Sequence, residues 1–313
     1  MSTVLLLGAT GSIGRATAAE LVARGHRVLC PVRGAPVLPA GAVTLSADPG
    51  RPGAVAAAIA GTRIDTVVSC LASRSGAPDE AWAIDHRATV EVARAGVAAG
   101  AGHVLLLSAI CVQYPRLAFQ HAKLRAEADL ARLGVPLSVV RPTAFFKSLS
   151  GQLGRVQAGK PYLVFGDGRL TACKPIGDAD LAAYIADRVA DRAPGLFPIG
   201  GPGPALTPRD MGAALFAATG RPERVRRVPP GMLRGIAAGL GLAGRVSSRA
   251  RGAAEMARIG HYYATQSMLV LDPATGRYDA ATTPEYGRET FADHIARRLS
   301  GEIGDARGAH AVF

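Results

Sequence analysis

Residues 3–14 read TVLLLGATGSIG, and this stretch decides the fold class. The run Thr3–Leu7 is apolar after its first residue, as expected for a strand buried on both faces of a parallel sheet. Gly8, Gly11 and Gly14 follow in a G-x-x-G-x-x-G pattern that opens a helical segment. A strand, a glycine-rich turn and a helix in this order are typical of a dinucleotide-binding unit.

The same alternation continues through the N-terminal half. Further strands are expected at Val28–Val32, Val43–Ala47, Thr66–Leu71, His103–Ser108 and Leu137–Arg141. Helical patterns lie between most of them. Strands that alternate with helices indicate βαβ units and a doubly wound parallel sheet. We therefore predict an α/β fold with a Rossmann domain over residues 1–145.

The pattern changes after Pro142, where glycine and proline clusters divide the chain into shorter pieces. Thr207 followed by Pro208 is a good helix start in this part, because Thr is a favoured N-cap and Pro suits the first turn. We expect residues 146–300 to form a smaller α+β region that caps the substrate, part of which returns to the sheet. Residues 301–313 are predicted to be a flexible tail.

Composition narrows the class of protein. Of 313 residues, 49% are hydrophobic and 19% are charged, which excludes a disordered chain. The four cysteines stand far apart without a C-x-x-C pair, so neither a disulfide scaffold nor a protein metal site is expected. Reduced cysteines and the lack of a basic segment before the first apolar run favour a cytoplasmic protein without a signal peptide.

The chain is basic, with 36 Lys and Arg against 24 Asp and Glu, a net charge of +12. The arginines are scattered and aromatic residues make up 5%, so nucleic-acid binding is not expected. A basic surface suits an anionic small molecule or anionic lipid. No apolar run reaches the roughly 18 residues of a membrane span. Peripheral contact through Met232–Val246 is one hypothesis, and a buried helix is the alternative.

The glycine motif supplies the first candidate cofactor ligands. Gly8 allows the tight turn, Gly11 lets backbone approach a pyrophosphate, and Gly14 lets the helix pack on the strand. The phosphates are expected at the helix N-terminus. The predicted contacts are Gly8, Thr10, Gly11, Ser12, Ile13 and Gly14.

The second strand ends without the acidic residue that holds a ribose 2′-hydroxyl in NAD-binding versions. Arg33 stands in its place, and a guanidinium pairs with a 2′-phosphate, so we predict NADPH as the cofactor. Asp48 is expected to accept from the adenine amino group. Positions after the fourth and sixth strands complete the cofactor set with Cys70, Leu71, Ala72, Pro142 and Phe145.

The glycine pattern and strand count resemble the extended short-chain dehydrogenase/reductase superfamily. That family carries a serine near the end of the fifth strand and Tyr-x-x-x-Lys on the next helix. Ser108 and Lys123 match the serine and the lysine, but Phe119 replaces the tyrosine. No phenol is then available for carbonyl reduction, so reduction of a conjugated C=C bond and cofactor binding without chemistry both stay open. Lys123 can still hydrogen-bond the nicotinamide ribose.

Longer blocks resemble the NADPH-dependent 3,8-divinyl chlorophyllide 8-vinyl reductases, from the glycine motif to about residue 300. The replacement by Phe119 also belongs to that family. The blocks read LSAICVQ (107–113), FQHAKL (119–124), VRPTAFFKSL (140–149), FGDG (165–168), ACKPI (172–176), PIGGPG (198–203) and YYATQSMLVLDP (262–273).

The resemblance implies reduction of the 8-vinyl group of a magnesium-containing chlorophyllide, or protochlorophyllide, to ethyl, with NADPH as hydride donor. The setting it implies is chlorophyll or bacteriochlorophyll synthesis, in the cytoplasm or at the photosynthetic membrane. The alternatives are another C=C reductase of the isoflavone-reductase-like type and a non-catalytic NADPH-sensing regulator. The sequence carries no signal for the oligomeric state.

The catalytic candidates are Lys123, Ser108 and Lys147. The proton donor stays open between Lys147 and Lys174, because a desolvated lysine loses its proton more readily. Each of these two lysines is also expected to serve as an ion-pair partner or an anchor for the pigment propionate. Cys111 and Cys173 are chemically able to donate a proton, but small buried fillers is the favoured role for both.

Overall fold

A computed structural model describes residues 1–243 and 247–304. The chain divides into two compact units. The first comprises Met1–Ser73, Pro78–Pro142 and Asp178–Pro198, and the second comprises Arg74–Ala77, Thr143–Gly177 and Ile199–Phe313. The sequence placed the boundary at residue 145, whereas the first unit ends at Pro142 and resumes at Asp178. Most of the predicted tail, residues 305–313, lies outside the described residues.

Within the described residues the strands are β1 (Thr3–Leu7), β2 (Arg27–Val32), β3 (Val43–Ser46), β4 (Thr66–Ser69), β5 (Val104–Leu107), β6 (Leu137–Pro142), β7 (Tyr162–Phe165), β8 (Gly195–Ile199), β9 (Val225–Val228), β10 (Val270–Asp272) and β11 (Arg277–Asp279). The six strands predicted in the N-terminal half are all present, with ends that differ by at most two residues.

The α-helices are α1 (Ser12–Ala23), α2 (Ala54–Ala58), α3 (Pro78–Ala81), α4 (Thr89–Ala98), α5 (Ala118–Leu130), α6 (Phe146–Leu149), α7 (Leu153–Gln157), α8 (Asp178–Asp191), α9 (Pro208–Thr219), α10 (Gly231–Ala243), α11 (Ser248–Thr265) and α12 (Phe291–Leu299). A π-helical segment, Trp82–Ala88, joins α3 directly to α4.

The first unit is built on a seven-stranded sheet in the order β3-β2-β1-β4-β5-β6-β8. The pairs from β3 to β6 are parallel. Val4–Leu7 of β1 are fully buried, which explains their unbroken apolar sequence. Because the strand order reverses between β1 and β4, the carboxyl ends of these two strands form the topological switch point where such sheets bind ligands. The doubly wound α/β fold is confirmed.

The second unit contains two small sheets, a parallel pair β7–β9 and an antiparallel pair β10–β11. Its helix α9 begins as predicted. The Thr207 side chain accepts from the Asp210 backbone N–H, and Asp210 accepts in return from the Thr207 N–H, which forms a capping box. Among the described residues, no helix combines the length and the apolar character needed to cross a membrane.

Candidate active site

The turn after β1 approaches β4 so closely that it requires glycine. Gly8 has a φ of +81°, and a Cβ there would lie 2.6 Å from the Cys70 carbonyl oxygen. A Cβ on Gly14 would lie 2.1 Å from the Gly8 carbonyl oxygen. Real Cβ atoms do not approach backbone this closely, so the contact with Cys70 explains Gly8, and the packing of α1 on the turn explains Gly14.

Gly11 is different, because no packing contact requires it. Its backbone is extended (φ −76°, ψ 165°), and a Cβ would meet nothing nearer than the Gly8 oxygen at 3.4 Å. Gly11 is the N-cap of α1 and provides no side-chain cap for the amides of the first turn. The arrangement leaves open backbone N–H groups and space at the positive end of a twelve-residue helix. The residues present therefore fit a dinucleotide pyrophosphate.

The other predicted cofactor positions in the first unit follow the carboxyl ends of neighbouring strands. Arg33 is exposed directly after β2, and it forms no ion pair in the described part of the chain. Asp48 lies two residues after β3, where its Oδ1 accepts from the Gly50 N–H at 2.9 Å. Thr10 and Ala72 are exposed, Pro142 closes β6, and Ser12, Cys70 and Leu71 are half-buried.

Lys123 is buried on α5, with 6% of its surface exposed. Its Nζ lies 3.0 Å from Oδ1 of Asp85, which is itself 2% exposed on the π-helical segment. Asp85 Oδ2 accepts from the Ser73 N–H at 3.1 Å. Asp85 Oδ1 and Lys123 thus form a buried ion pair. An ammonium carries three N–H donors, so donors remain for a further acceptor.

Lys123 also lies near the glycine motif. Burial raises the pKa of the Cys70 thiol to about 12, against smaller opposing effects from a hydrogen bond with Thr17 and the Lys123 charge. Cys70 thus stays protonated at neutral pH. Lys123 pairs with Asp85, which accepts from the Ser73 N–H three residues after Cys70, so the lysine lies beside the chain that leaves β4. The structure brings Gly8, Cys70 and Lys123 together at the switch point.

Ser108 is buried after β5, and its hydroxyl donates to Glu127 Oε1 at 2.5 Å. Arg141 holds the same carboxylate through two hydrogen bonds, from Nε at 3.1 Å and from Nη2 at 2.5 Å. The Ser108 proton is therefore directed at Glu127 rather than at a ligand. A role for Ser108 in catalysis stays a prediction.

Contacts within the second unit distinguish Lys147 from Lys174, the two lysines that the sequence left as alternative proton donors. Lys174 is buried, its Nζ pairs with Glu285, and it also donates to the Thr283 carbonyl oxygen at 3.4 Å. The hydrogen bond from Lys174 lowers the pKa of Glu285. Lys174 is therefore an ion-pair partner. Lys147, half-buried on α6, forms no ion pair among the described residues.

Two cysteines considered as proton donors are buried. Burial raises the pKa of the Cys173 thiol to about 12, and its backbone exchanges hydrogen bonds with Leu206. Cys111 is 3% exposed, and its carbonyl oxygen accepts from Gln120 Nε2. Both cysteines pack in the interior, as the favoured role predicted. Phe145 is half-buried at the N-cap of α6.

The sequence interpretation missed Asp85. Ala81, Asp85 and Ala88 are all buried, at the spacing of one helical face. The sequence offered one signal for Asp85, a carboxylate on an otherwise apolar helical face. Such a residue points to a partner, because a buried charge needs one. The π-helical turn carries Asp85, and such turns are frequent at functional sites.

Comparison with known proteins identifies the class of protein to which this chain belongs. A family profile described as NAD(P)H-binding matches residues 8–192. The structure of Bordetella bronchiseptica WbmG in complex with NAD has a TM-score of 0.68 at 18% identity, covering 100% of this chain and 96% of that one. A UDP-glucose 4-epimerase of Thermotoga maritima has a TM-score of 0.69 at 13% identity, covering 95% and 97%. The chain is an NAD(P)H-binding Rossmann protein with the fold of the short-chain dehydrogenases/reductases.

Relatives in sequence identify the family within this class of proteins. The chloroplastic divinyl chlorophyllide a 8-vinyl-reductase of Zea mays is 43% identical over 335 aligned residues, which cover 100% of this chain and 83% of the relative. The protein of that name from Arabidopsis thaliana is 43% identical, covering 94% and 76%. The chain belongs to the divinyl chlorophyllide a 8-vinyl-reductase family.

Proposed function

We propose that this chain reduces the 8-vinyl group of divinyl chlorophyllide a, or of divinyl protochlorophyllide, to an ethyl group with NADPH. The observation that carries the proposal is the alignment with the named plant reductases, which extends through both units at 43% identity. Phe119 supports it, because a site without the phenol of carbonyl reductases suits reduction of a C=C bond.

The part of the proposal that concerns NADPH binding rests on residues of the first unit. The open amides at the start of α1 would hold the pyrophosphate, and Arg33 would pair with the 2′-phosphate that distinguishes NADPH from NADH. Asp48 would accept from the adenine amino group, and Lys123 would donate to the nicotinamide ribose. When bound, NADPH supplies the hydride for one vinyl carbon.

The other vinyl carbon must receive a proton, and we assign this part to Lys147. Lys147 is half-buried and, among the described residues, forms no ion pair, so its ammonium is available either to give a proton or to bind the pigment propionate. The ion pair with Glu285 holds Lys174 away from either role. Ser108, whose hydroxyl donates a hydrogen bond to Glu127, would act by holding α5 against the end of β5.

The test is an anaerobic incubation of the purified protein with divinyl chlorophyllide a and either NADPH or NADH. We expect a shift of the Soret band and a mass gain of two hydrogens with NADPH, and a much slower reaction with NADH. Tight NADPH binding without turnover would contradict the proposal. It would favour another conjugated substrate or an NADPH-sensing regulator.

A further inference from the structure

Lys147, the proposed proton donor, lies on a very short helix. The helix α6 spans only Phe146–Leu149, and a 3₁₀ helix, Ser150–Gln152, follows it directly. A helix of this length is not stable by itself in water, because nucleation of the first turn is unfavourable. The position of Lys147 therefore depends on the residues that α6 contacts.

The chain on the N-terminal side of Lys147 is held by the core of the second unit. The Phe146 N–H donates to the Ile176 carbonyl oxygen at 3.4 Å. The Phe146 side chain, 1% exposed, packs against Phe291 and His294 of α12, with ring centroids 5.9 and 5.3 Å away. This end of α6 is fixed by an aromatic cluster and a backbone contact.

The chain on the C-terminal side of Lys147 is held by an arginine of α12. Nη1 of Arg298, in the last turn of α12, donates to the Ser150 carbonyl oxygen at 3.1 Å and to Ser150 Oγ at 2.8 Å. Ser150 is 1% exposed, and its hydroxyl donates to the Lys147 carbonyl oxygen at 3.3 Å. Hydrogen bonds thus connect Arg298 through Ser150 to the backbone of Lys147.

Two neighbouring arginines of α12 differ in what they contact. Arg298 lies four residues after His294, on the face of the helix that meets α6. Arg297 instead pairs with Glu289 through Nη1 and with Glu302 through Nε, both at 2.8 Å. The helix therefore offers an arginine that holds α6 and a neighbour that serves as its control.

We infer that Arg298 is a positioning residue for the reaction, because it fastens the helix that carries Lys147. The inference rests on the proposed role of Lys147 and extends it to a second residue. A displacement of about 1 Å can slow a reaction by about 100-fold, so a proton donor must be held in place by the residues behind it. Removal of the half-buried Arg298 leaves the aromatic contacts of Phe146 intact.

Turnover of divinyl chlorophyllide a with NADPH tests the inference in matched variants. Arg298→Met should lower kcat at least about tenfold and leave the KM for NADPH within about twofold, because Arg298 acts on the proton donor and not on the cofactor. Arg297→Met removes the same charge from the same helix, and its kcat should stay within about twofold of wild type. Arg298→Lys keeps the charge and a donor, so it should restore part of the loss.

Coupling to Lys147 distinguishes positioning from general damage to the fold. If Arg298 acts through Lys147, adding Arg298→Met to Lys147→Met should slow turnover no further. Ser150→Ala removes the linking hydroxyl without a change of charge and should also lower kcat, by about threefold or more. Losses from Arg298→Met and Lys147→Met that multiply, or equal kcat in Arg298→Met and Arg297→Met, would overturn the inference.

Amide hydrogen exchange distinguishes failure of this inference from failure of the proposed function, because it needs neither pigment nor turnover. Arg298→Met should speed exchange in residues 146–152 at least about tenfold, and Arg297→Met should not change it. If Arg298→Met does not fold, Ser150→Ala provides the same comparison. If the wild type does not reduce the pigment, the proposed function is wrong, and exchange alone decides whether Arg298 holds α6. Unchanged exchange in residues 146–152 overturns the inference in either case.

Discussion

The Lys123 ammonium lies 3.0 Å from the Asp85 carboxylate, and both side chains are buried. The pair links α5 to the π-helical segment beside the carboxyl end of β4. Since an ammonium carries three N–H donors, the pair neutralises the charge of the lysine and leaves donors for a further acceptor. Asp85 thus positions the residue that we propose to contact the nicotinamide ribose.

This pair should behave as a unit in unfolding experiments. Removing one partner of a buried ion pair leaves the other charge buried, at a cost of about 3 kcal/mol or more. Asp85→Asn and Lys123→Met are each expected to lower the free energy of unfolding by about that amount. The double variant should lose less than the sum. Urea unfolding at neutral pH measures all four proteins, and strictly additive losses would show that the two residues are not coupled.

Substitution of two glycines of the motif should show that Gly14 is needed for stability and Gly11 for cofactor binding. Gly14→Ala forces a Cβ to within 2.1 Å of the Gly8 oxygen, so we expect a strongly destabilised protein. Gly11→Ala meets only an ordinary contact at 3.4 Å and should keep its unfolding free energy. Its methyl group would occupy the space proposed for the pyrophosphate, so NADPH affinity should fall at least about tenfold. Unchanged NADPH affinity in a folded Gly11→Ala protein would show that the pyrophosphate does not lie against Gly11.

Arg33 should determine the choice of cofactor. Because Arg33 is exposed, Arg33→Asp should leave the unfolding free energy nearly unchanged. Loss of the charge-assisted contact with the 2′-phosphate is expected to weaken NADPH binding by about 2 kcal/mol, or about 30-fold. NADH affinity should not fall. Fluorescence titration with both cofactors measures the two affinities, with Arg94→Asp as the control for net charge. If Arg33→Asp binds NADPH as well as the control does, the assignment of Arg33 is wrong.

Lys147 and Lys174 should give opposite phenotypes. Lys147→Met breaks no ion pair within the described residues, so its stability should be close to wild type while turnover of the pigment falls at least about tenfold. Lys174→Met removes the partner of Glu285 and the donor to the buried Thr283 carbonyl oxygen, so its melting temperature should fall. Steady-state kinetics and thermal unfolding of both variants make the comparison. A fully active Lys147→Met enzyme would exclude Lys147 as proton donor.

Two histidines, the buried His103 and the half-buried His294, should make the protein sensitive to acid. Burial lowers the pKa of His103 to about 4, and burial with the charges of Arg298 and Arg297 lowers that of His294 to about 4. Between pH 6.5 and 4 the unfolded chain binds protons that the folded chain does not, so stability falls as the pH falls. The loss is at most about 3 kcal/mol for each histidine. Urea unfolding at several pH values should show a shallower dependence for His103→Gln than for wild type, and an identical slope would contradict this origin.

Local patterns in the chain were sufficient to predict the sheet. Buried strands such as β1 leave unbroken apolar runs, and the G-x-x-G-x-x-G turn between a strand and a helix is typical of dinucleotide binding, so the strands, the parallel sheet and the cofactor class followed from them. β8 was not predicted individually, because Gly195–Ile199 is short and contains a proline. Such a segment has no periodicity of its own and pairs with β6 only once the sheet exists.

The partners of the charged residues depended on tertiary structure. The sequence singled out Lys123, Ser108, Lys147 and Lys174 from their positions, but their partners lie far away in the chain. Asp85, 38 residues before Lys123, pairs with that lysine beside the end of β4, and Glu285, 111 residues after Lys174, pairs with the other. Ion pairing acts through distance in space and burial, and neither is encoded in local periodicity. A motif therefore predicts which side chains are able to take part in chemistry, whereas the fold determines which of them are held by a partner.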